Sequence, residues 1–537
     1  MSDIEADIVI VGSGVAGALI ADSLAAASVK VAILEAGDEI DRSEAVERFH
    51  GELIKTPESG YPVGPDADHP LSRDPDYWYR QNGPDKFLST YIKAVGGTTW
   101  HWLGTAIRMS PNDFRLESTY GRGVDWPVSY DELEPFYVEA EHQLGVSGEP
   151  GSPPFAPRSA PYPMPAIPQT YLDRHFISKL AGTSYHVSAT PQARNSVERD
   201  DRPSCCGSAS CIPVCPVQAK YDATVHVERA KANGAIVHAA TTATFIETGA
   251  DGNVTGIRFT RRDGSTGLAT GRVFVIAAHA IETPRLLLAS ASESMPNGVA
   301  NSSDMVGRNL MDHPTQLSWA WSNDPVWPYR GPLSTSGIEN LSDGDFRSER
   351  GAFRIEIGND GHSWPTGAPV TSATELVKQG LGGAELKKAL RDTTSRHIRV
   401  ASLVEQLPDP ENRITLHESE RDKYGVPVPK ISYRIDDYTD KGLKEAQHTH
   451  EDIFEKLGAT NVNHLPSFAG AGHIIGTARM GSDQKASVVD PELRSHDHRN
   501  LFIVGSANFP TSATANPTLT LAALALRAAR TIQLQLQ

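Results

Sequence analysis

A glycine-rich turn between two apolar segments is the feature that most constrains how this chain can fold. Residues 8–11 are an apolar, β-branched run that predicts a buried parallel strand, residues 15–27 predict a helix, and a second apolar strand ends at Glu35. The turn into the helix contains Gly12, Gly14, Val15, Ala16 and Gly17. Such glycines allow a tight turn, let backbone amides approach a pyrophosphate, and let the helix pack against the strand. With an acid placed for a ribose hydroxyl, the unit predicts dinucleotide binding and not a chance glycine-rich turn.

Composition restricts the number of domains and the partners. The chain has 537 residues, which is enough for two or three domains. Its formal net charge of -16 argues against a nucleic-acid partner, because phosphate contacts need clustered Lys and Arg. The sequence contains no run of about 18 uncharged apolar residues that would predict a membrane span. No basic and apolar leader precedes the first strand, so we expect no secretion signal in this chain.

Local patterns predict further elements in the first part of the chain. Residues 38–90 mix Pro and Gly with charged residues and predict an extended excursion with little regular structure. Ser129 is placed to cap a helix over 130–143. A strongly apolar strand leads into a helix over 281–288, in which Pro284 is expected in the first turn.

The second part of the chain changes character twice. Residues 315–470 contain alternating strands and one helix near 374–391, which predicts an antiparallel sheet with one face wetted or facing a cleft. Residues 500–505 contain an apolar run like that of the first strand and predict another buried strand. Asn516 and Pro517 are predicted to be the N-cap and the first residue of a closing helix. First and last segments that share one parallel sheet predict an α/β fold with a discontinuous nucleotide-binding domain and another domain inserted into it.

All four cysteines lie between positions 205 and 215. A disulfide-stabilised exported protein usually scatters its cysteines to close long loops, so this crowding favours a local cofactor. The ending Cys-x3-Cys-Pro is similar to the end of a bacterial ferredoxin run. Because adjacent side chains point apart, Cys205, Cys211 and Cys215 are the predicted ligands of a three-iron cluster, with Cys206 less favoured. A zinc site that uses all four cysteines and a pair of local disulfides remain open alternatives.

A second glycine pair precedes a short aromatic stretch. Gly96 and Gly97 are followed by Thr98, and then by His101 and Trp102. This composition suits backbone that wraps closely against a flat cofactor. A glycine turn leading into a core with buried tryptophan would have the same pattern.

Taken together, these segments resemble the glucose–methanol–choline (GMC) oxidoreductase family of flavoproteins. The matching blocks follow the family's order over nearly the whole chain, at residues 12–17, 35–37, 96–108, 278–288, 307–314, 473–481 and 500–516. The resemblance implies an α/β fold in which a discontinuous Rossmann-type FAD-binding domain carries an inserted antiparallel-sheet α+β substrate domain. It assigns residues 1–157, 220–314 and 471–537 to the FAD-binding domain, 158–219 to an iron–sulfur cluster-bearing insertion, and 315–470 to the substrate-binding domain.

The resemblance also implies a chemistry: FAD is held tightly, and a hydride is taken from a C–H bond next to a hydroxyl. His473 and Asn516 match the family's pair beside the reacting part of the flavin. A neutral imidazole can take the hydroxyl proton as the hydride leaves, and an amide can orient the same oxygen. On the residues alone, His473 could be a satisfied or exposed histidine, and Asn516 could be no more than a helix cap.

The same match places a larger set of residues along the implied FAD site. These are Gly12, Gly14, Val15, Ala16, Gly17, Glu35, Ala36, Gly96, Gly97, Thr98, His101, Trp102, Asn516 and Thr518. His101 also matches a histidine that carries the flavin covalently in one branch of the family, so covalent attachment is an open alternative.

The cysteine segment resembles that of the catalytic large subunits of bacterial FAD and iron–sulfur dehydrogenases for glucose, fructose, sorbitol and gluconate. This resemblance implies a [3Fe-4S] cluster, a multihaem cytochrome c subunit, and a small chaperone-like subunit with a twin-arginine export signal. The chain would then work at the periplasmic face of the inner membrane, which it would contact only through a partner. If no such partners exist, it would be cytoplasmic.

The resemblance implies a small carbohydrate substrate, which could be a sugar, a polyol, a sugar acid or a glycoside. Ala471 and Gly472 stand where those sugar dehydrogenases tend to have Asn-Asn, which leaves the substrate and the oxidised carbon open. A GMC oxidase that uses oxygen directly, with structural cysteines, is the alternative enzyme. A flavoprotein that only carries electrons or assists assembly is the non-enzymatic alternative.

Overall fold

The central element of the fold is a parallel sheet whose strands come from the start, the middle and the end of the chain. The computed structural model describes residues 3–52, 79–89, 91–361 and 369–537. The strand order in this five-stranded sheet is Leu501–Ile503, Val273–Ile276, Ile8–Val11, Val31–Leu34 and Ile236–His238. Its three central strands are buried along their whole length, as expected when helices cover both faces. The predicted α/β fold with a discontinuous Rossmann-type domain is confirmed.

Helices from distant parts of the chain pack on this sheet and on each other. They are Val15–Ala26, Tyr130–Leu144, Thr224–Ala232 and Thr518–Leu536. The predicted helix that begins after Ser129 is confirmed, because the Ser129 hydroxyl accepts a hydrogen bond from the backbone N–H of Glu132 at 3.2 Å. Tyr137 and Thr520 join two of these helices through their hydroxyl oxygens, which lie 2.7 Å apart.

The second main sheet is antiparallel and has six strands, five of which lie within residues 315–470, where an antiparallel sheet was predicted. Its order is Thr460–His464, Thr315–Trp321, His397–Val404, Phe353–Gly358, Ser336–Ile338 and Val187–Ala189. The sixth strand lies outside that range, and the predicted strands near 413–416 and 430–435 belong to a separate three-stranded sheet. Apolar side chains on one face of the six-stranded sheet pack under the helix Asp437–Lys456 in a separate core. Because side chains alternate along a strand, Arg354 and Glu356 lie on the opposite face.

Smaller elements complete the described part of the chain. A four-stranded sheet joins Ile4–Glu5, Thr266–Thr270, Val254–Arg261 and Thr241–Thr248. Two three-stranded sheets join Arg413–Arg421, Pro427–Ser432 and Arg80–Gln81, and Met164–Pro165, Val146–Gly148 and Gln192–Ala193. Other α-helices span Arg42–Gly51, Leu116–Tyr120, Tyr171–Leu180, His279–Ala289, Val370–Lys378 and Gly383–Thr394. None of the helices in the described ranges is long and apolar enough to cross a membrane.

The prediction of little regular structure over 38–90 is wrong in its first part. Asp41 caps the helix Arg42–Gly51 by accepting a backbone N–H at 2.9 Å. Periodicity did not reveal this helix because its apolar face is narrow: it consists of Ala45, Val46 and Phe49, of which Ala45 alone is fully buried. Residues 53–78 and 90 of this prediction lie outside the described residues.

The prediction of a single helix near 374–391 is also wrong, because two helices occupy this region. They are Val370–Lys378 and Gly383–Thr394. Gly380 between them has φ +88°, in the left-handed region where glycine ends helices.

Pro284 lies inside a helix and not in its first turn, because the helix begins at His279. A proline at this position cannot donate to the carbonyl of Ala280, four residues earlier. The hydroxyl of Thr477 donates to that carbonyl at 2.6 Å instead. This bond ties the helix to the segment that follows His473.

Replacement of Gly17 by alanine is expected to destabilise the nucleotide-binding domain. A methyl carbon there would lie 2.0 Å from the carbonyl oxygen of Gly12, and overpacking commonly costs about 1–3 kcal/mol. The matched control is Gly51→Ala, at an exposed helix end where the added carbon meets no atom within 4 Å. Urea unfolding followed by circular dichroism should give a lower midpoint for Gly17→Ala and not for the control. Equal midpoints would contradict the close packing of helix and turn.

Candidate active site

The structure brings His473 and Asn516 side by side, although 43 residues separate them in sequence. Nδ2 of Asn516 lies 3.3 Å from Nε2 of His473. His473 lies in the loop that follows the six-stranded sheet, and Asn516 lies just before the closing helix. The two residues predicted to act on one substrate oxygen are therefore neighbours in space.

Asn516 is not the cap of the closing helix, contrary to the sequence prediction. The helix begins at Thr518, Pro517 occupies the cap position, and no side-chain hydrogen bond caps the helix. The Oδ1 atom of Asn516 is buried without a hydrogen-bond partner in the described parts of the chain. Since buried amide oxygens normally have a partner, this atom is available to a ligand hydroxyl.

A second histidine, His313, lies behind His473 and was not assigned a role from the sequence. The two Nδ1 atoms lie 2.8 Å apart, and the rings meet edge to face with an interplanar angle of 85°. Nε2 of His313 lies 2.9 Å from the carbonyl oxygen of Ala513 and 3.2 Å from that of Ser512. The available signal was the block 307–314, which matches the family and contains His313.

The carboxylate of Asp312 holds the backbones of the two histidines together. Its Oδ1 accepts the backbone N–H of His313 at 2.7 Å and that of His473 at 2.9 Å. Its Oδ2 accepts the hydroxyl of Ser89, and this hydroxyl in turn accepts the N–H of Gly472 at 2.8 Å. Burial raises the pKa of Asp312, while these hydrogen bonds oppose the rise.

The site keeps His473 neutral. Desolvation lowers the pKa of the His473 imidazole well below its usual value, and nearby His313 and Arg354 lower it further. Arg354 comes from the six-stranded sheet, where Glu339 and Glu356 each pair with it at 2.7 Å. A neutral imidazole can accept a proton, so the arrangement suits a general base.

The glycine turn has the shape of a phosphate-binding site. Gly12 has φ +97°, and a methyl carbon there would lie 2.4 Å from the carbonyl oxygen of Ala277. In contrast, a methyl carbon on Gly14 would meet no protein atom within 4 Å. Gly14 therefore borders open space where a pyrophosphate could approach the backbone, while Val15 and Ala16 are buried in the first helical turn.

The carboxylate of Glu35 stabilises this turn through hydrogen bonds. One of its oxygens accepts from the backbone N–H of Ser13 at 2.9 Å and from its hydroxyl at 2.7 Å, and the other accepts from the N–H of Gly37 at 2.9 Å. Ala36 lies between these contacts, two residues after the second strand ends at Leu34. A carboxylate has about four acceptor positions, so capacity remains for the ribose hydroxyl that the sequence predicts.

The second glycine pair lies against the first. Gly96 donates its N–H to the Ser13 hydroxyl at 3.1 Å, and a methyl carbon on Gly97 would lie 3.1 Å from the Cα of Gly14. The short 3₁₀ turn Gly97–Trp100 follows, with Thr98 inside it and a buried His101 after it. Two predicted parts of the dinucleotide site are thus brought into contact.

Lys220 joins this stretch to the cysteine segment. Its buried ammonium donates to the carbonyls of Trp100 at 2.8 Å and Trp102 at 2.7 Å. Its backbone N–H donates to the Sγ of Cys215 at 3.5 Å. Lys220 therefore links Trp102, a predicted FAD-site residue, to Cys215, a predicted cluster ligand.

The four cysteines are all free thiols, so the alternative of two local disulfides is not found. Cys211 and Cys215 are buried, Cys205 is half-buried, and Cys206 is exposed. Burial raises the pKa of Cys205, with smaller contributions from Cys211 and Cys215 that place the three thiols in one neighbourhood.

Two of these thiol sulfurs accept hydrogen bonds from backbone N–H groups. The N–H of Gly207 donates to the Sγ of Cys205 at 3.4 Å, and amide donors to sulfur are typical of iron–sulfur sites. Arg194 is buried, and it lowers the pKa of Cys205, as a cation near thiolates should. In the described ranges, no group of three or more His, Cys, Asp or Glu side chains is placed to hold a metal ion. The cluster therefore stays a prediction.

Comparisons with known proteins identify the family signature and relatives of the whole chain. Sequence profiles described as GMC oxidoreductase match residues 176–315 and 408–525. The fructose dehydrogenase large subunit of Gluconobacter japonicus is 39% identical, over 98% of both chains. The 2-methyl-1,2-propanediol dehydrogenase of Mycolicibacterium austroafricanum is 28% identical, over 98% of this chain and 94% of its own. Formate oxidase of Aspergillus oryzae shares the fold, with a TM-score of 0.67 at 17% identity over 99% and 98% of the two chains.

Replacement of Gly14 by alanine is expected to lower the flavin content without weakening the fold. The added methyl group meets no protein atom but fills space beside the backbone amides of the turn. Gly51→Ala again serves as the control. Purified Gly14→Ala protein should carry less flavin, measured by visible absorbance, and after removal of the flavin from both proteins it should unfold at the wild-type urea midpoint. Wild-type flavin content in Gly14→Ala would show that the cofactor phosphates lie elsewhere.

Proposed function

The chain belongs to the GMC oxidoreductase family, and from this premise we propose that it is a dehydrogenase of sugars, polyols, sugar acids or glycosides with an iron–sulfur cluster as its electron outlet. As a family member it is an FAD-dependent oxidoreductase that acts on CH–OH donors. The observation that carries the proposal is the pair of His473 and Asn516, in which a neutral imidazole and an amide with a free oxygen converge.

FAD supplies the hydride acceptor when it is bound. Nε2 of His473 is assigned to take the substrate hydroxyl proton, because desolvation keeps this imidazole neutral. The Nδ2 group of Asn516 is assigned to donate a hydrogen bond to the same oxygen and to fix its orientation, because a hydroxyl that gives its hydrogen to His473 can only accept a further one. The glycine turn and Glu35 are assigned to hold the pyrophosphate and adenosine end of the cofactor.

A carbohydrate-like substrate is supported by the relatives and by the polar face of the six-stranded sheet. One relative is named for fructose and another for a small diol. In this chain, Arg354 and Glu356 form an ion pair on one face of this sheet, and the charge of Arg354 lowers the pKa of His473. Charged hydrogen-bonding groups of this kind orient hydroxyl-rich ligands.

The proposed electron outlet is a [3Fe-4S] cluster on Cys205, Cys211 and Cys215. Support comes from the neighbourhood of the three thiols, from the amide donors to sulfur, and from Lys220, which connects Cys215 to the residues flanking His101. Whether the flavin is attached covalently to His101 is tested by whether it stays with the protein after denaturation.

The proposed partners are a small twin-arginine export subunit and a multihaem cytochrome c subunit, with work at the periplasmic face of the inner membrane. The name of the relative from Gluconobacter japonicus, a large subunit, supports a multi-subunit assembly for this chain. Affinity purification from the native membrane fraction should recover two further subunits, one of which carries haem. Recovery of the chain alone from the cytoplasm would reject this assembly.

His473→Ala is expected to slow anaerobic flavin reduction by substrate about 10²- to 10⁴-fold, because general base catalysis is lost. The measurement is the bleaching of flavin absorbance across a panel of sugars, polyols, aldonates and glycosides. His448→Ala removes an exposed histidine and should react like the wild type. Equal bleaching in His473→Ala would favour a flavoprotein that does not use this site, and stoichiometric peroxide in air would favour the oxidase alternative.

Cys211→Ser is expected to remove iron and acid-labile sulfide from the protein while substrate still reduces the flavin. The reason is that Cys211 is a buried predicted ligand, whereas the hydride-accepting site uses other residues. Cys206→Ser changes the exposed cysteine and should keep the wild-type iron content. Absence of iron and sulfide from the wild-type protein would contradict the proposed cluster and would favour a structural role for the cysteines.

A further inference from the structure

A line of hydrogen bonds runs from the backbone through two histidines to Asn516. It begins at the carbonyls of Ser512 and Ala513, passes from Nε2 to Nδ1 of His313, and continues from Nδ1 to Nε2 of His473. Each step lies between 2.8 and 3.3 Å. His313 does not reach the amide of Asn516 and acts only through His473.

The two backbone carbonyls at one end of this line determine which ring nitrogens carry hydrogen. A carbonyl oxygen can only accept, so Nε2 of His313 carries hydrogen. A neutral His313 then has its lone pair on Nδ1, and the facing Nδ1 of His473 must donate to it. The hydrogen of neutral His473 is thereby placed on Nδ1, and its Nε2 keeps the lone pair.

The opposite end of the line requires the same arrangement. The Nδ2 group of Asn516 is a donor, and a donor 3.3 Å from Nε2 of His473 needs an acceptor there. The two ends of the line, which come from different groups, therefore agree on one tautomer.

We propose that His313 is a positioning residue that selects the His473 tautomer in which Nε2 is the proton acceptor. In the reaction, the O–H bond of the substrate breaks, its proton binds Nε2, and its electron pair stays on the substrate oxygen. Nδ1 of His313 then accepts a stronger hydrogen bond from the positively charged ring. The inference rests on the proposed role of His473 as the base.

Charged and titratable groups of the described residues act on both rings. Burial lowers the pKa of His313, and Asp312 and Glu405 raise it by less than burial lowers it. Arg354 and His313 act on His473, and both lower its pKa. Both rings are consequently neutral, which is the condition that the argument from the carbonyls requires.

The test compares His313→Leu, which removes the acceptor at Nδ1, with His313→Asn, which keeps an acceptor oxygen close to the backbone. Residues that orient metal-ligating histidines commonly contribute about 10- to 100-fold to activity, and we expect a similar factor for a residue that orients a histidine base. The limiting rate of anaerobic flavin reduction should fall by this factor in His313→Leu, with little change in the substrate concentration for half-saturation. His313→Asn should recover most of the rate.

The pH profile separates tautomer selection from pKa tuning. Exchange between neutral tautomers involves no net proton, so the deficit of His313→Leu should persist on the alkaline plateau, where His473 is neutral in any case. A rate that returns to the wild-type value at high pH would overturn the proposal. If His473→Ala is inactive and His313→Leu reacts like the wild type, the inference fails while the proposed function stands.

A second measurement needs no His313 variant. In ¹⁵N-histidine-labelled holoenzyme, the resonances of His473 can be assigned by their loss in His473→Gln. The proposal requires a protonated Nδ1 and an unprotonated Nε2 in the resting enzyme. The reverse pattern would overturn it, even if the His313→Leu protein failed to fold.

Discussion

The backbone hydrogen bonds that join strands from the start, middle and end of the chain are the constraint on which the site depends. Val275 pairs with Ile10 on one side and with Phe502 on the other. Parallel strands present their carboxyl ends at one edge of a sheet, where ligands of such folds bind. The glycine turn follows one of these strands, and the segment that leads to Asn516 follows another. A register shift in this sheet would therefore separate the two halves of the site.

The site also requires that a group of buried polar atoms find hydrogen-bond partners. Burying imidazoles and a carboxylate is costly unless each finds partners. Asp312 meets this requirement with two backbone amides and a hydroxyl, and His313 meets it with two carbonyls. The Oδ1 of Asn516 is the contrasting atom, since it has no partner in the described chain. The network thus restrains the base while it leaves one amide oxygen for a ligand.

Local chemistry made much of this structure predictable. The glycine turn, the cap at Ser129 and the nucleotide-binding sheet follow from short patterns, and the family match pointed to His473 and Asn516. His313 could not be assigned in this way because its role depends on carbonyls some 200 positions later in the chain. The position of Pro284 was missed for the same reason, since Thr477 supplies the compensating bond from 197 positions away.

Lys220 has a consequence for how two distant parts of the chain are held relative to each other. Its ammonium contacts the carbonyls beside His101, and its amide contacts Cys215, so the path between these places runs through buried protein. A substitution that removed this ammonium would therefore loosen both the turn around His101 and the segment that carries Cys215.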